Sequence, residues 1–175
     1  MTVRGKGWLS RPSEGRVSSW PGEPRIYGGH KGIDFAAAEG APVTAAAAGR
    51  VERVYQNGEL SGYGCAVVLA HPEPDGSTVY TLYAHLAEAT VEAGRAVGRG
   101  ELVGRTGGTA ARKNEPGRRV AVHLHFEVLR QWPPPSRTGG RFDPAVALGL
   151  EKKAGARRAG TVNEKKAEEP AGQKG

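Results

Sequence analysis

The chain has 175 residues, a length that suits one domain. A single Cys excludes an intramolecular disulfide framework and any Cys-rich zinc or iron–sulfur cluster, and the longest clean apolar run, Cys65 to Ala70, is far short of the roughly 18–20 residues that span a bilayer. The net charge of +7 suits an anionic partner without naming one.

The start, MTVRGKGWLSRPSEG, has basic residues but no apolar stretch behind them, so no secretory signal is visible. Residues 1–7 read as an N-terminal extension. From residue 8 to 150 the sequence reads as short strands, in keeping with 27 Gly and 12 Pro. Pro42–Thr44 opens one element and Gly49–Tyr55 gives another, closed by an Asn57-Gly58 turn. Cys65 to His71 is a continuous apolar run and predicts a buried strand. Asp75-Gly76 turns the chain, and Val79 to Leu86 returns it. The glycines of Gly94-Arg-Ala-Val97-Gly-Arg-Gly100 suggest tight hairpins. Residues 105–119, RTGGTAARKNEPGRR, read as one long polar loop with five Lys/Arg. Val120 to Leu129 alternates: Val120, Val122, Leu124, Phe126 and Val128 share one face, while Ala121, His123, His125 and Glu127 share the other. Helical signals are weak, because the Ala-rich stretches 36–38 and 45–48 are short and bounded by Gly or Pro. The expected fold is all-β, a compact antiparallel sandwich or barrel-like structure with short helical segments. The last 25 residues hold seven Lys/Arg and four Glu with one large apolar residue, so 151–175 reads as a disordered basic tail.

Three clusters carry possible chemistry. The first is Gly28-Gly-His30-Lys-Gly32-Ile-Asp34. On an ideal strand His30 and Asp34 would stand about 13 Å apart, too far for one ion, so a shared metal requires the chain to bend at Gly32. The second is Tyr80-Thr-Leu-Tyr83-Ala-His85, where His85 ends a strand among aromatic neighbours. The third is His123-Leu-His125, two imidazoles pointing the same way roughly 6.6 Å apart. One of that pair can hold a metal while the other reaches over the same site. His, Asp and His are ligands that suit zinc, and three protein ligands with an open position make a catalytic site rather than a closed structural one. His71, before the Asp75-Gly76 turn, reads as structural or exposed.

GGHKGIDFAAAEGAPVTAAAAGRV, YTLYAHL and HLHFEV resemble the signature blocks of the lysostaphin-type zinc endopeptidases, which cut peptide bonds in bacterial peptidoglycan. VEAGRAVGRGELVG and FDPAVAL extend the likeness over Trp8 to Leu150. The resemblance implies the family's duplicated hybrid motif fold and one Zn2+ per chain. It implies that His30, Asp34 and His125 are the zinc ligands. It also implies that His85 and His123 are catalytic, one as general base and one as electrostatic stabiliser. The expected substrate is a peptidoglycan peptide, the expected state a monomer, and the expected location the cell envelope, periplasm or exterior. The stretch before the His pair departs from the family pattern, being longer and basic, and this bears on substrate preference.

Three other readings are weaker. A catalytically inactive member that binds the wall or regulates a hydrolase would usually lack a ligand position, and all five site residues are present here. A carrier-type barrel needs a Lys at a hairpin tip, where Arg95 and Arg99 stand instead. Nucleic-acid binding lacks an aromatic platform and is not expected.

Overall fold

The computed structural model describes residues 6–26, 28–134 and 139–152. In chain order the strands are β1 (Arg16–Ser19), β2 (Pro24–Arg25), β3 (Gly28–Gly29), β4 (Ile33–Ala36), β5 (Pro42–Thr44), β6 (Gly49–Tyr55), β7 (Cys65–Pro72), β8 (Thr78–Ala89), β9 (Ala96–Val97), β10 (Leu102–Thr109), β11 (Arg119–Leu129) and β12 (Arg141–Phe142). A single short helix, α1 (Pro144–Ala147), follows among the described residues. Ten strands form one antiparallel sheet: eight follow the path β1-β4-β11-β10-β8-β7-β6-β9, β12 pairs with β11 and β5 with β10, and β2–β3 form a separate small ribbon. The all-β antiparallel expectation therefore holds, but the strands do not close into a barrel.

The sheet curls around its main core. Phe35 of β4, Leu69 of β7, Phe126 of β11 and Val97 of β9 belong to one buried cluster, although their strands are far apart in the path. The alternation of β11 explains its share: Leu124, Phe126 and Val128 enter this core, and the intervening side chains face the other way. A smaller cluster on that second face holds Ala66, Val68, Leu82, Ala84 and Leu129. α1 closes the main core with Ala145 and Ala147. It starts where Asp143 accepts the Ala145 and Val146 N–H groups and Pro144 needs no donor partner.

Several local expectations are corrected. Residues 105–109 belong to β10, so the polar loop spans only 110–118. Gly107 and Gly108 are tolerated inside that strand because its neighbours press in: a Cβ at either would come within 2.4 Å of backbone atoms of Ala87 or Val120. Asn57-Gly58 begins a nine-residue connection between β6 and β7 rather than closing a tight hairpin. His85 lies inside β8, not at its end. Beyond Lys152 the expected tail lies outside the described residues, as do residues 1–5; Lys152 itself pairs with Glu23 at 3.0 Å.

His71 is buried and structural. Its Nδ1 lies 2.9 Å from the Ala48 carbonyl and its Nε2 lies 2.8 Å from Thr81 Oγ1. Thr81 Oγ1 stands 3.0 Å from Tyr83 OH, which accepts the Ala46 N–H at 2.8 Å. Burial pushes the Tyr83 phenol up to about 12, so it stays protonated. Tyr83 is thus a core residue and not part of a groove wall. Tyr83→Phe strands the buried Ala46 N–H and should destabilise the fold by about 1–3 kcal/mol. Urea unfolding should show a lower midpoint with an unchanged slope; an unchanged midpoint would mean that Ala46 finds another acceptor.

Candidate metal centre

β4 and β11 are neighbours, and their register sets Asp34 directly opposite His125. Both side chains leave the core face, so Asp34 Oδ1 meets His125 Nδ1 at 2.8 Å. Upstream of Asp34 the chain bends at Gly32, as the spacing requires. Only glycine fits there: a Cβ would lie 2.3 Å from the Phe126 carbonyl oxygen and 2.9 Å from the His125 ring. The bend returns His30, whose Nε2 stands 3.0 Å from Asp34 Oδ1 and 3.1 Å from His125 Nδ1. Three ligands about 2.1 Å from a tetrahedral ion are themselves about 3.4 Å apart. The slightly tighter triangle seen here can close on one such ion and leaves a coordination position facing the groove.

The outer atoms of the triad are also held. His30 Nδ1 donates to the Trp20 carbonyl at 2.9 Å and lies 3.2 Å from Ser19 Oγ. Asp34 Oδ2 accepts from the Arg25 guanidinium at 3.1 Å. His125 Nε2 lies 3.0 Å from Glu127 Oε1. Glu127 is wholly buried, and its carboxylate also accepts from Tyr63 OH at 2.7 Å and from Arg141 Nε at 2.7 Å. Outer-shell acceptors of this kind fix which imidazole nitrogen is free to coordinate.

His125 is bracketed by carboxylates. Burial alone would lower its pKa, but Asp34 and Glu127 outweigh burial and raise it to about 9. Burial would raise the Asp34 and Glu127 carboxyls, yet His125 holds both below their ordinary range, assisted by His30 at Asp34 and by Arg141 at Glu127. In the metal-free protein His125 is therefore an imidazolium that donates to both sides.

His85 and His123 lie across from the triad. Their rings are 4.7 Å apart, and the His85 ring is 5.8 Å from that of His125. The Nδ1 of His85 donates to the Thr109 carbonyl at 2.8 Å, and that of His123 donates to the Ala121 carbonyl at 2.6 Å. Each Nε2 is thereby left available, and that of His123 is 3.7 Å from Asp34 Oδ1. Burial, followed by the charge on His125, pushes His85 down to about 3, so it is neutral. His85 reaches this position through a bulge. Between the pairs Val67↔Tyr83 and Cys65↔Leu86 the register slips by one residue, and His85 takes φ 62 while its N–H bonds the Tyr63 carbonyl.

The structure thus brings all five predicted residues into one groove of about 1390 Å³. It adds Glu127, which sequence reading left as a position of strand alternation. The signal was available: Glu127 follows His125 at i+2, on the same face. Arg141 and Tyr63 approach from other segments, and no local pattern points to them.

A curled antiparallel sheet thus carries a His–Asp–His triangle that could hold one metal ion, open to a groove. The model of peptidase family M23 matches residues 28–144, and the chain belongs to that family. Among curated relatives, the DD-carboxypeptidase/endopeptidase Mpg of Neisseria meningitidis is 40% identical over 99 residues, covering 57% of this chain and 20% of that protein. The chain spans 18–35% of the length of the first curated relatives that it matches. Among solved structures, the antimicrobial peptidase lysostaphin from Staphylococcus simulans superposes with a TM-score of 0.62 at 25% identity, over 94% of this chain and 62% of that one. A zinc-containing peptidase from Vibrio cholerae gives 0.55 at 29% identity, over 71% and 36%.

Two outcomes follow from the bracketed imidazole. Uptake of a divalent metal must expel the His125 proton, so about one proton should be released per ion at pH 7. Apparent affinity should rise about tenfold per pH unit until pH approaches about 9. Calorimetry in buffers of different ionisation enthalpy measures both, and a pH-independent affinity would refute the bracketing. Glu127→Gln turns one acceptor oxygen into a donor among Tyr63, Arg141 and His125. It should weaken metal binding by about 10- to 100-fold in a chelator competition; wild-type affinity would remove Glu127 from the site.

Proposed function

We propose that this chain is a zinc-dependent endopeptidase that hydrolyses peptide bonds in bacterial peptidoglycan cross-links. The observation that carries this reading is the convergence of His30 Nε2, Asp34 Oδ1 and His125 Nδ1 beneath two further imidazoles whose Nε2 atoms are free. The three ligand types suit zinc, and the family, with a Vibrio cholerae relative named as a peptidoglycan DD-endopeptidase, supports the substrate.

Bound zinc supplies a Lewis acid for the scissile carbonyl and lowers the pKa of the attacking water toward about 7. The protein supplies the rest. His30, Asp34 and His125 fix the ion's place, and Glu127 and Trp20 fix their orientation. One of His85 and His123 takes the water proton at Nε2 and delivers it to the leaving amine. The other, whose Nδ1–H is already held by a backbone carbonyl, carries a second proton at Nε2 when it donates a hydrogen bond to the carbonyl oxygen as negative charge develops. Backbone carbonyls on both Nδ1 atoms keep the rings from turning away. The reading as a non-catalytic, wall-binding or regulatory member finds no support at these positions, since none of the five is replaced. A substrate in wall cross-links would be met in the envelope or outside the cell. Among the described residues no helix is long and apolar enough to cross a membrane.

The test is digestion of purified peptidoglycan of different chemotypes, with mass spectrometry of the fragments and a chelator control. Asp34→Ala and His125→Ala should lose bound zinc. His123→Ala and His85→Ala should retain it and lose about 10²- to 10⁴-fold in turnover. Full hydrolysis by verified metal-free protein would defeat the proposal.

A further inference from the structure

We infer that Arg112 is a carboxylate-recognition residue, so that the groove selects peptides bearing a free carboxylate near the cleaved bond over neutral chains such as oligoglycine. The inference rests on the reading of the site as a peptidase and names the substrate class of that site.

The groove wall carries Arg25, Lys31, Arg112 and Arg118 against the carboxylates of Asp34 and Glu115. Most of these charges are already engaged. Arg25 binds Asp34 Oδ2 at 3.1 Å and Ser19 Oγ at 2.6 Å. Arg118 pairs with Glu115 at 3.2 Å. Lys31 donates to Tyr63 OH at 3.3 Å and lies over that ring. Both carboxylates of the wall are thereby neutralised. Arg112 is different: among the described residues no carboxylate pairs with it, and it is half-buried on the wall.

Arg112 is also held in place. Its backbone N–H and carbonyl bond the Glu115 carbonyl and N–H at 3.1 and 2.9 Å. The preceding residue, Ala111, receives the Gly62 N–H at 3.0 Å and donates its own N–H to Asn57 Oδ1 at 3.0 Å. The side chain then lies against the backbone of the 56–64 connection, where Gly62 (φ +80) offers no side chain; a Cβ there would stand 3.5 Å from Arg112 Nε. The half-buried guanidinium, packed beside Gly62 on an anchored backbone, offers its planar fork to a carboxylate. A neutral chain in the same groove would strip water from the cation and return only bonds to peptide carbonyls, which are weaker than the paired bonds of a carboxylate. Two sources fit the chemistry: the terminal α-carboxylate of a short stem, or a side-chain carboxylate beside the scissile bond.

The test uses zinc-loaded protein and short stem peptides whose scissile amide is N-methylated to block cleavage. One peptide has both carboxylates free, one has its terminus amidated, one has its side-chain carboxylate amidated, and N-acetylated, C-amidated pentaglycine serves as the neutral chain. Calorimetry should show that one of the two amidations, which identifies the source, weakens binding by about tenfold or more. Arg112→Gln should bring free and amidated peptides to within about twofold of each other, and Arg112→Lys should restore part of the difference. Equal binding of all the stem peptides by the wild type, or unchanged discrimination by Arg112→Gln, overturns the inference. Cleavage of the unmethylated peptides is scored separately. Discrimination in binding without cleavage would sink the peptidase reading and leave the carboxylate site standing; cleavage without discrimination would do the reverse.

Discussion

The site depends on one cross-strand pair. Asp34 and His125 face each other because β4 and β11 run antiparallel in a single register. A slip of β4 by one residue would turn Asp34 toward the core, bring Phe35 out and leave His125 without its partner. The same hydrophobic burial that sets the register therefore sets the distance between two of the three converging atoms. His30 needs only the local bend at Gly32 to join them. The site's geometry is inherited from a sheet whose core residues Ile33, Phe35, Leu124 and Phe126 are fully buried.

Electrostatics adds a second layer. A lone imidazole as buried as His125 would be neutral, and a lone carboxylate as buried as Glu127 would hold its proton. Set side by side and linked to Arg141 and Asp34, they keep each other charged. Alternating charges along Arg141–Glu127–His125–Asp34–Arg25 leave no group of the chain without a partner. Such a chain is sensitive to the loss of any member, because removing one partner leaves a desolvated charge. His85 stands outside it, neutral, in the wall of the groove.

The sequence made the strands with long apolar alternation readable. β6, β7 and β11 fall within a residue or so of expectation, since side-chain period and burial agree there. The required bend at Gly32 was readable as well, because a strand without it cannot bring His30 to Asp34. β10 was not. Its Gly107 and Gly108 carry the signature of a loop, and they sit in a strand because neighbouring backbones approach too closely for any side chain. That closeness is a tertiary fact. The bulge in β8 was equally hidden: a positive φ at histidine has no local sequence signal, and the preference of Tyr83 and Leu86 for the same core creates it. Arg141 reaches Glu127 from 14 residues away, beyond the range of any local pattern.

The backbone at residue 85 carries a further consequence. A left-handed conformation costs a residue with a Cβ about 1–2 kcal/mol, and glycine pays almost none of it. Position 85 is therefore a place where thermodynamic robustness and chemistry pull apart: the residue that would relax the chain is not the one that can carry a proton. Any search for sturdier variants of this molecule would be drawn toward glycine there, and would trade away an imidazole in doing so. The slack must be found elsewhere, as on the outer face of β6, where a change in stability leaves the histidines untouched.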